Sequence, residues 1–138
     1  MIFSLSQFIR YALPVLVFCL PAALQANALE ERVNSYKNLG AGPFSAEQGN
    51  MLWQQKVMHT KSGKNRSCQD CHGSDLRKPG RHAKTGKTID PLSTKVNPQR
   101  LSDGKKIEKW FKRNCKWTWG RVCSAQEKGD ILHYLKQQ

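Results

Sequence analysis

The chain has 138 residues, enough for one small domain, and sets 23 Lys and Arg against 10 Asp and Glu for a formal charge of +13. So basic a chain suits nucleic acid, a membrane surface or an acidic protein as its partner. The export signal at its start argues against nucleic acid.

Residues 1–28 read as a Sec-type signal peptide. A short start carrying Arg10 leads into the apolar run "YALPVLVFCL", and small residues follow up to "ANA", with cleavage at Ala28 or at Ala26. The apolar run is too short to favour a membrane span. Phe18 precedes Cys19 where a lipid-anchor motif needs a small residue. The expected location is therefore the periplasm, as a soluble exported protein. Cleavage removes only Arg10 from the 23 basic residues and none of the 10 acids, so +12 of the +13 remains.

Residues 29–43 form an N-terminal extension, with a short helix expected over 29–39 before the break at "GAGP". The main domain is expected over 44–138. In "SAEQGNMLWQQKVMH", Ser45 is the expected N-cap, with Gln48 completing a capping box. Gly49, one turn behind Trp53, costs a helix about 1 kcal/mol relative to Ala, which suggests close packing by another element. Residues 73–101 are rich in Gly, Pro, Lys and Ser and read as an irregular wrap, a length that often marks a functional segment. Ser102 is the expected cap of the next helix, "KKIEKWFKRNC". There Ile107, Trp110, Phe111 and Asn114 follow i, i+3, i+4, i+7 and share one stripe. A final helix opens with the box of Ser124 and Glu127 and offers Ile131, Leu132 and Leu135 to a core. No strand alternation of useful length appears, so the expected class is all-α. About 110 mature residues with few aliphatics make a weak core unaided. A large apolar cofactor would relieve that.

"SCQDCHG" supplies it. Cys68-x-x-Cys71-His72 is the signature of covalent c-type haem attachment. Two thiols add to the two haem vinyl groups, and the adjoining His reaches the iron. A redox dithiol is the first alternative, but the βαβ context it needs is missing. A zinc site built from the four mature cysteines and His72 is the second. With His72 on one side of the iron, the usual downstream Met is absent: Met1, Met51 and Met58 all precede the motif. His82, His133, the lysines and Asn114 remain as sixth-ligand candidates. Asn114 faces whatever Ile107, Trp110 and Phe111 face, and spacing alone leaves it balanced between a ligand and a helix C-cap. Once Cys68 and Cys71 are used by haem, Cys115 and Cys123 are left to pair by default in an oxidising compartment. Trp117 and Trp119 lie between them and are expected to cover the haem pocket.

The segments "CQDCHGSDL", "TGKTIDPL", "KIEKWFKRNC", "GRVC" and "EKGDILHYL", in that order, resemble the sphaeroides haem protein (SHP) family. That family comprises monohaem, class I cytochrome c-like proteins with an asparagine sixth ligand. The resemblance runs from about Phe44 to the C-terminus. It implies helices wrapped around one haem c on Cys68 and Cys71, axial His72 and Asn114, and a Cys115–Cys123 disulfide. Trp110 and Phe111 would then line the haem pocket. It also implies that the Pro91 carbonyl orients His72, as in class I cytochromes. Functionally it implies electron transfer coupled to binding of oxygen, nitric oxide or another small molecule when Asn114 leaves ferrous iron. A minor oxygen or nitric oxide reduction would be a side activity. The implied electron donors are a dihaem cytochrome c and a membrane cytochrome b. The rival reading is a plain electron carrier whose iron stays six-coordinate.

Overall fold

The computed structural model describes residues 22–138, with side chains from residue 28 onward. Most of the expected leader, Cys19 included, lies outside the described residues. The order is α1 (Ala22–Asn38), α2 (Ala46–Gln54), β1 (Val57–His59), β2 (Lys64–Arg66), α3 (Gln69–His72), β3 (Gly80–Arg81), β4 (Thr88–Ile89), α4 (Gly104–Trp119) and α5 (Ala125–Lys136). Helices dominate, as the patterning predicts. Two antiparallel hairpins, β1–β2 and β3–β4, are additional. Their strands are two or three residues long, too short to show alternation in the sequence. Among the described residues no helix is long and apolar enough to cross a membrane.

The helix α1 runs through the expected cleavage site and docks on the domain. Leu29, Val33 and Tyr36 repeat at helical spacing and bury against Ile107 of α4 and Leu132 of α5. Glu108 ties the three helices together. Its carboxylate accepts from the Tyr36 hydroxyl and from Lys128 Nζ. A second cluster joins Trp53, Leu76, Cys115, Trp119, Cys123, Ile131 and Leu135. Leu101 and Phe111 pack against both clusters. Leu101 has φ 61°, a left-handed conformation that costs an L-residue about 1–2 kcal/mol and is held here by packing on both sides.

The crossing of α2 and α5 fixes the architecture. A Cβ on Gly49 would stand 2.0 Å from the Asp130 carbonyl oxygen, and one on Gly129 would stand 2.2 Å from the Phe44 ring. Gly49 thus lets the α2 backbone approach that of α5, which explains a glycine in mid-helix, and Gly129 makes room for the Phe44 ring. Ser45 caps α2 by accepting from the Gln48 N–H at 3.2 Å. The other half of the expected box is not formed, because the Ser45 N–H donates to Asp130 Oδ1 at 2.8 Å. Asp130, buried at the crossing, outcompetes the local glutamine. The cap of α5 is the full Ser124–Glu127 box.

The cap of α4 differs from the expectation. Asp103, not Ser102, accepts from the N–H groups of Lys105 and Lys106 at 2.8 and 3.0 Å. Ser102 Oγ instead donates to the Gln99 carbonyl at 2.8 Å. The buried line of α4 also differs. It runs Ile107, Cys115, Thr118 and Trp119, with Phe111 half-buried between them. Trp110 is 45% exposed and Asn114 is exposed. The helix continues to Trp119, and its C-terminal half draws the buried line toward Cys115 and Trp119, leaving Trp110 and Asn114 at its edge. The helix ends on Gly120 with φ 72°.

Candidate haem site

One helical turn, α3, carries the attachment motif. Ser67 and Asp70 hold it reciprocally: the Ser67 N–H donates to Asp70 Oδ2 at 2.8 Å, and the Asp70 N–H to Ser67 Oγ at 3.2 Å. This S-x-x-D pattern, a local signal that reading the motif for its cysteines and histidine passes over, pins the turn that carries them. The His72 N–H donates to the Cys68 carbonyl at 3.2 Å, which closes the turn. Strand β3 presses on it from outside. A Cβ at Gly80 would fall 2.2 Å from the Cys71 carbonyl oxygen, a close approach for which the sequence has no local signal. The Ala83 N–H donates to Cys71 Sγ at 3.3 Å.

Burial, reinforced by the Arg100 guanidinium, pushes His72 down to about 4. The imidazole is therefore neutral at neutral pH, the form that binds a metal. Burial also pushes the Cys68 thiol up, to about 12, with the neighbouring Cys71 adding to the shift. A reactive redox dithiol needs the opposite, a lowered thiol. Cys115 and Cys123 are joined as a disulfide with Cα atoms 5.7 Å apart, so only Cys68 and Cys71 remain as thiols in the described chain. A four-thiolate zinc set is not available.

Two further observations fit a haem. The Trp53 ring lies 5.3 Å from the His72 ring. Trp53 Nε1 and Trp119 Nε1, in the cluster against which Cys68 packs, are buried and have no partner among the described residues. A buried unpaired donor costs about 1–3 kcal/mol. The carboxylates of a haem offer acceptors of the required kind. Cys68, Cys71 and His72 would hold the group, and the two buried indole N–H groups would offer it donors.

The expected Pro91–His72 hydrogen bond is not formed. The Pro91 carbonyl accepts from Asn97 Nδ2 at 3.1 Å and Arg100 Nε at 2.9 Å, which occupies both lone pairs. The charge of the same Arg100 is felt at His72, where it adds to the effect of burial.

The sixth-ligand candidates now differ in position. Asn114 lies in the interior of α4, so the C-cap reading falls: Gly120 has that role. The disulfide fixes the backbone immediately after Asn114. His82 stacks 5.4 Å from Trp117, whose other contact is the Arg66 guanidinium at 4.0 Å. Its Nδ1 accepts from the N–H groups of Lys84 and Thr85 at 3.3 and 3.2 Å. That network keeps the proton on Nε2. His133 stands 5.4 Å from Phe44, by the second cluster, with Nδ1 at 3.1 Å from the Gly129 carbonyl. The structure packs Cys68 against the cluster that holds Trp53 and Trp119, and sets the Trp53 ring beside His72. It does not bring Asn114 into contact with His72.

A family model described as a domain of unknown function (DUF1924) matches residues 39–135. The chain is 33% identical over 132 residues to the cytochrome c-type protein SHP of Cereibacter sphaeroides, covering 94% of this chain and 98% of that protein. The structure of oxidised SHP, described as an oxygen-binding cytochrome c, superposes with a TM-score of 0.71 at 33% identity, over 80% of this chain and 96% of that one. A solution structure of cytochrome c'' from Methylophilus methylotrophus, described as giving insights into the structural basis of haem-ligand detachment, gives 0.70 at 33% identity, over 82% and 94%.

Proposed function

This chain belongs to the family of SHP and cytochrome c'' and carries the DUF1924 domain, and we propose that it is an exported electron-transfer cytochrome whose sixth ligand, Asn114, leaves on reduction to admit a small molecule. The cofactor is one covalently attached haem c, which supplies a one-electron couple and an iron with two axial positions. Cys68 and Cys71 anchor it, and His72 binds through the lone pair that burial keeps unprotonated. Trp53 and Trp119, whose buried indole N–H groups have no partner among the described residues, would offer donors to its carboxylates.

The observation that carries the Asn114 assignment is the state of its main rival. Ligation through His82 Nε2 requires the proton on Nδ1, where Lys84 and Thr85 already donate. Asn114 is held one residue before the disulfide on a rigid helix, with Trp110 and Phe111 one turn earlier flanking the same position. A neutral amide is a poor donor to soft ferrous iron compared with imidazole or thioether, so reduction weakens its hold. Oxygen and nitric oxide are the small molecules this reading favours. Supply of electrons by a dihaem cytochrome c and a membrane cytochrome b, and a periplasmic location, complete it.

Carbon monoxide tests the reading. The ferrous protein is expected to shift its Soret band on mixing, and the ferric protein is not. A ferrous form that ignores carbon monoxide returns the plain electron carrier.

A further inference from the structure

The outward face of α4 carries charge that the protein itself does not use. At about 100° per residue, Lys105, Lys106, Lys109, Lys112, Arg113 and Lys116 fall within an arc of about 120°. All six are exposed. The lone carboxylate on the helix, Glu108, is turned away and held by Tyr36 and Lys128. Among the described residues the ridge has one ion pair, Lys106 with Asp103 at 3.9 Å. Like charges packed this closely on one helix repel. At the edge of the ridge stands Trp110, 45% exposed, with the Arg113 guanidinium 5.0 Å from its ring. Tryptophan and arginine are residue types enriched at interface hot spots.

We propose that this ridge, Lys105 to Lys116 with Trp110 at its edge, is the docking surface for an acidic redox protein. The proposal rests on the electron-carrier reading and does not depend on Asn114 being a ligand. Charge complementarity selects the occupant. The apolar side of α4 is committed to the core, so the helix has no apolar face to sink into a lipid surface. The rival basic stretch, the loop beside Cys71, is already partly neutralised: Arg77 and Lys78 both pair with Asp75, at 3.1 and 3.9 Å. It also lacks the rigidity of a four-turn helix. Docking on α4 would place the partner along the helix that bears Asn114.

The test uses flavodoxin hydroquinone, an acidic protein, as the donor. One electron passes from its reduced flavin to the ferric protein, leaving the flavin one electron more oxidised. Rates are compared for wild type, for a ridge variant (Lys105→Glu, Lys109→Glu and Lys112→Glu) and for a loop variant (Lys78→Glu, Lys84→Glu and Lys87→Glu). At about 10 mM ionic strength, where the Debye length is about 30 Å, the ridge variant is expected to lose at least about tenfold in bimolecular rate and most of its salt dependence. The loop variant is expected to lose less than about threefold. Neutral photoreduced lumiflavin should reduce all three alike, which shows that folding and haem loading are intact. A loss at the loop equal to or larger than that at the ridge would overturn the proposal. So would ridge-dependent binding to phosphatidylglycerol vesicles with an unchanged flavodoxin rate. Failure of lumiflavin to reduce wild type would instead contradict the electron-carrier reading beneath it.

Discussion

Asn114→Ala is expected to strip the ferric protein of its internal sixth ligand and to raise its affinity for added imidazole by about 10- to 100-fold. The magnitude follows from competition. An internal ligand bound in 90–99% of molecules lowers the apparent affinity of an external one by about that fraction. The ferrous protein is expected to bind carbon monoxide within about threefold of wild type, because Asn114 has already left. Optical titration of both oxidation states measures the split. A ferric form whose spectrum and imidazole affinity are unchanged removes Asn114 from the iron. Far-UV circular dichroism provides the folding control, and the risk to folding is small because the amide is exposed on the helix surface.

Gly49→Ala is expected to cause a large loss of stability. Its Cβ would meet the Asp130 carbonyl oxygen at 2.0 Å and the carbonyl carbon at 2.6 Å, backbone atoms that move only if α2 and α5 separate. Overpacking of this kind costs about 1–3 kcal/mol or more. The gain of about 1 kcal/mol from replacing a helical glycine does not offset it. A net loss of about 2 kcal/mol corresponds to a fall in Tm of about 10 °C for a domain of this size. Met51→Ala, two residues along the same helix but half-exposed, should change stability by less than about 0.5 kcal/mol. Thermal unfolding followed at 222 nm separates the two. A Gly49→Ala protein as stable as wild type would mean that the helices do not cross so closely.

The sequence makes Gly49 conspicuous for a physical reason: a glycine in mid-helix is costly and therefore demands an explanation. The Ser124–Glu127 box is legible because both partners lie within one turn. Ser45 and Gln48 present the same local pattern, yet half of it yields to Asp130, which is adjacent only after α5 has docked. Ser102 and Asp103 are both competent caps. The path of the chain out of Leu101 decides between them, and no local pattern encodes that path. The stripe Ile107, Trp110, Phe111, Asn114 is correctly periodic, but a helix longer than the window turns its buried line toward Cys115 and Trp119.

At the site, Cys68, Cys71 and His72 are legible because the chemistry demands their spacing. Trp119 is marked by its place between the paired cysteines, whereas Gly80 and Trp53 carry no such mark, since their roles arise from contacts between distant segments. The same holds for Pro91. Its carbonyl could serve any neighbouring donor, and Asn97 and Arg100 reach it first.

Resonance Raman spectroscopy of the wild-type protein in both oxidation states tests the central claim most directly, because its marker bands report iron coordination number without any added ligand. The account predicts six-coordinate ferric haem and five-coordinate ferrous haem retaining only His72. A six-coordinate ferrous spectrum, with the amide or any other ligand still in place, would contradict it.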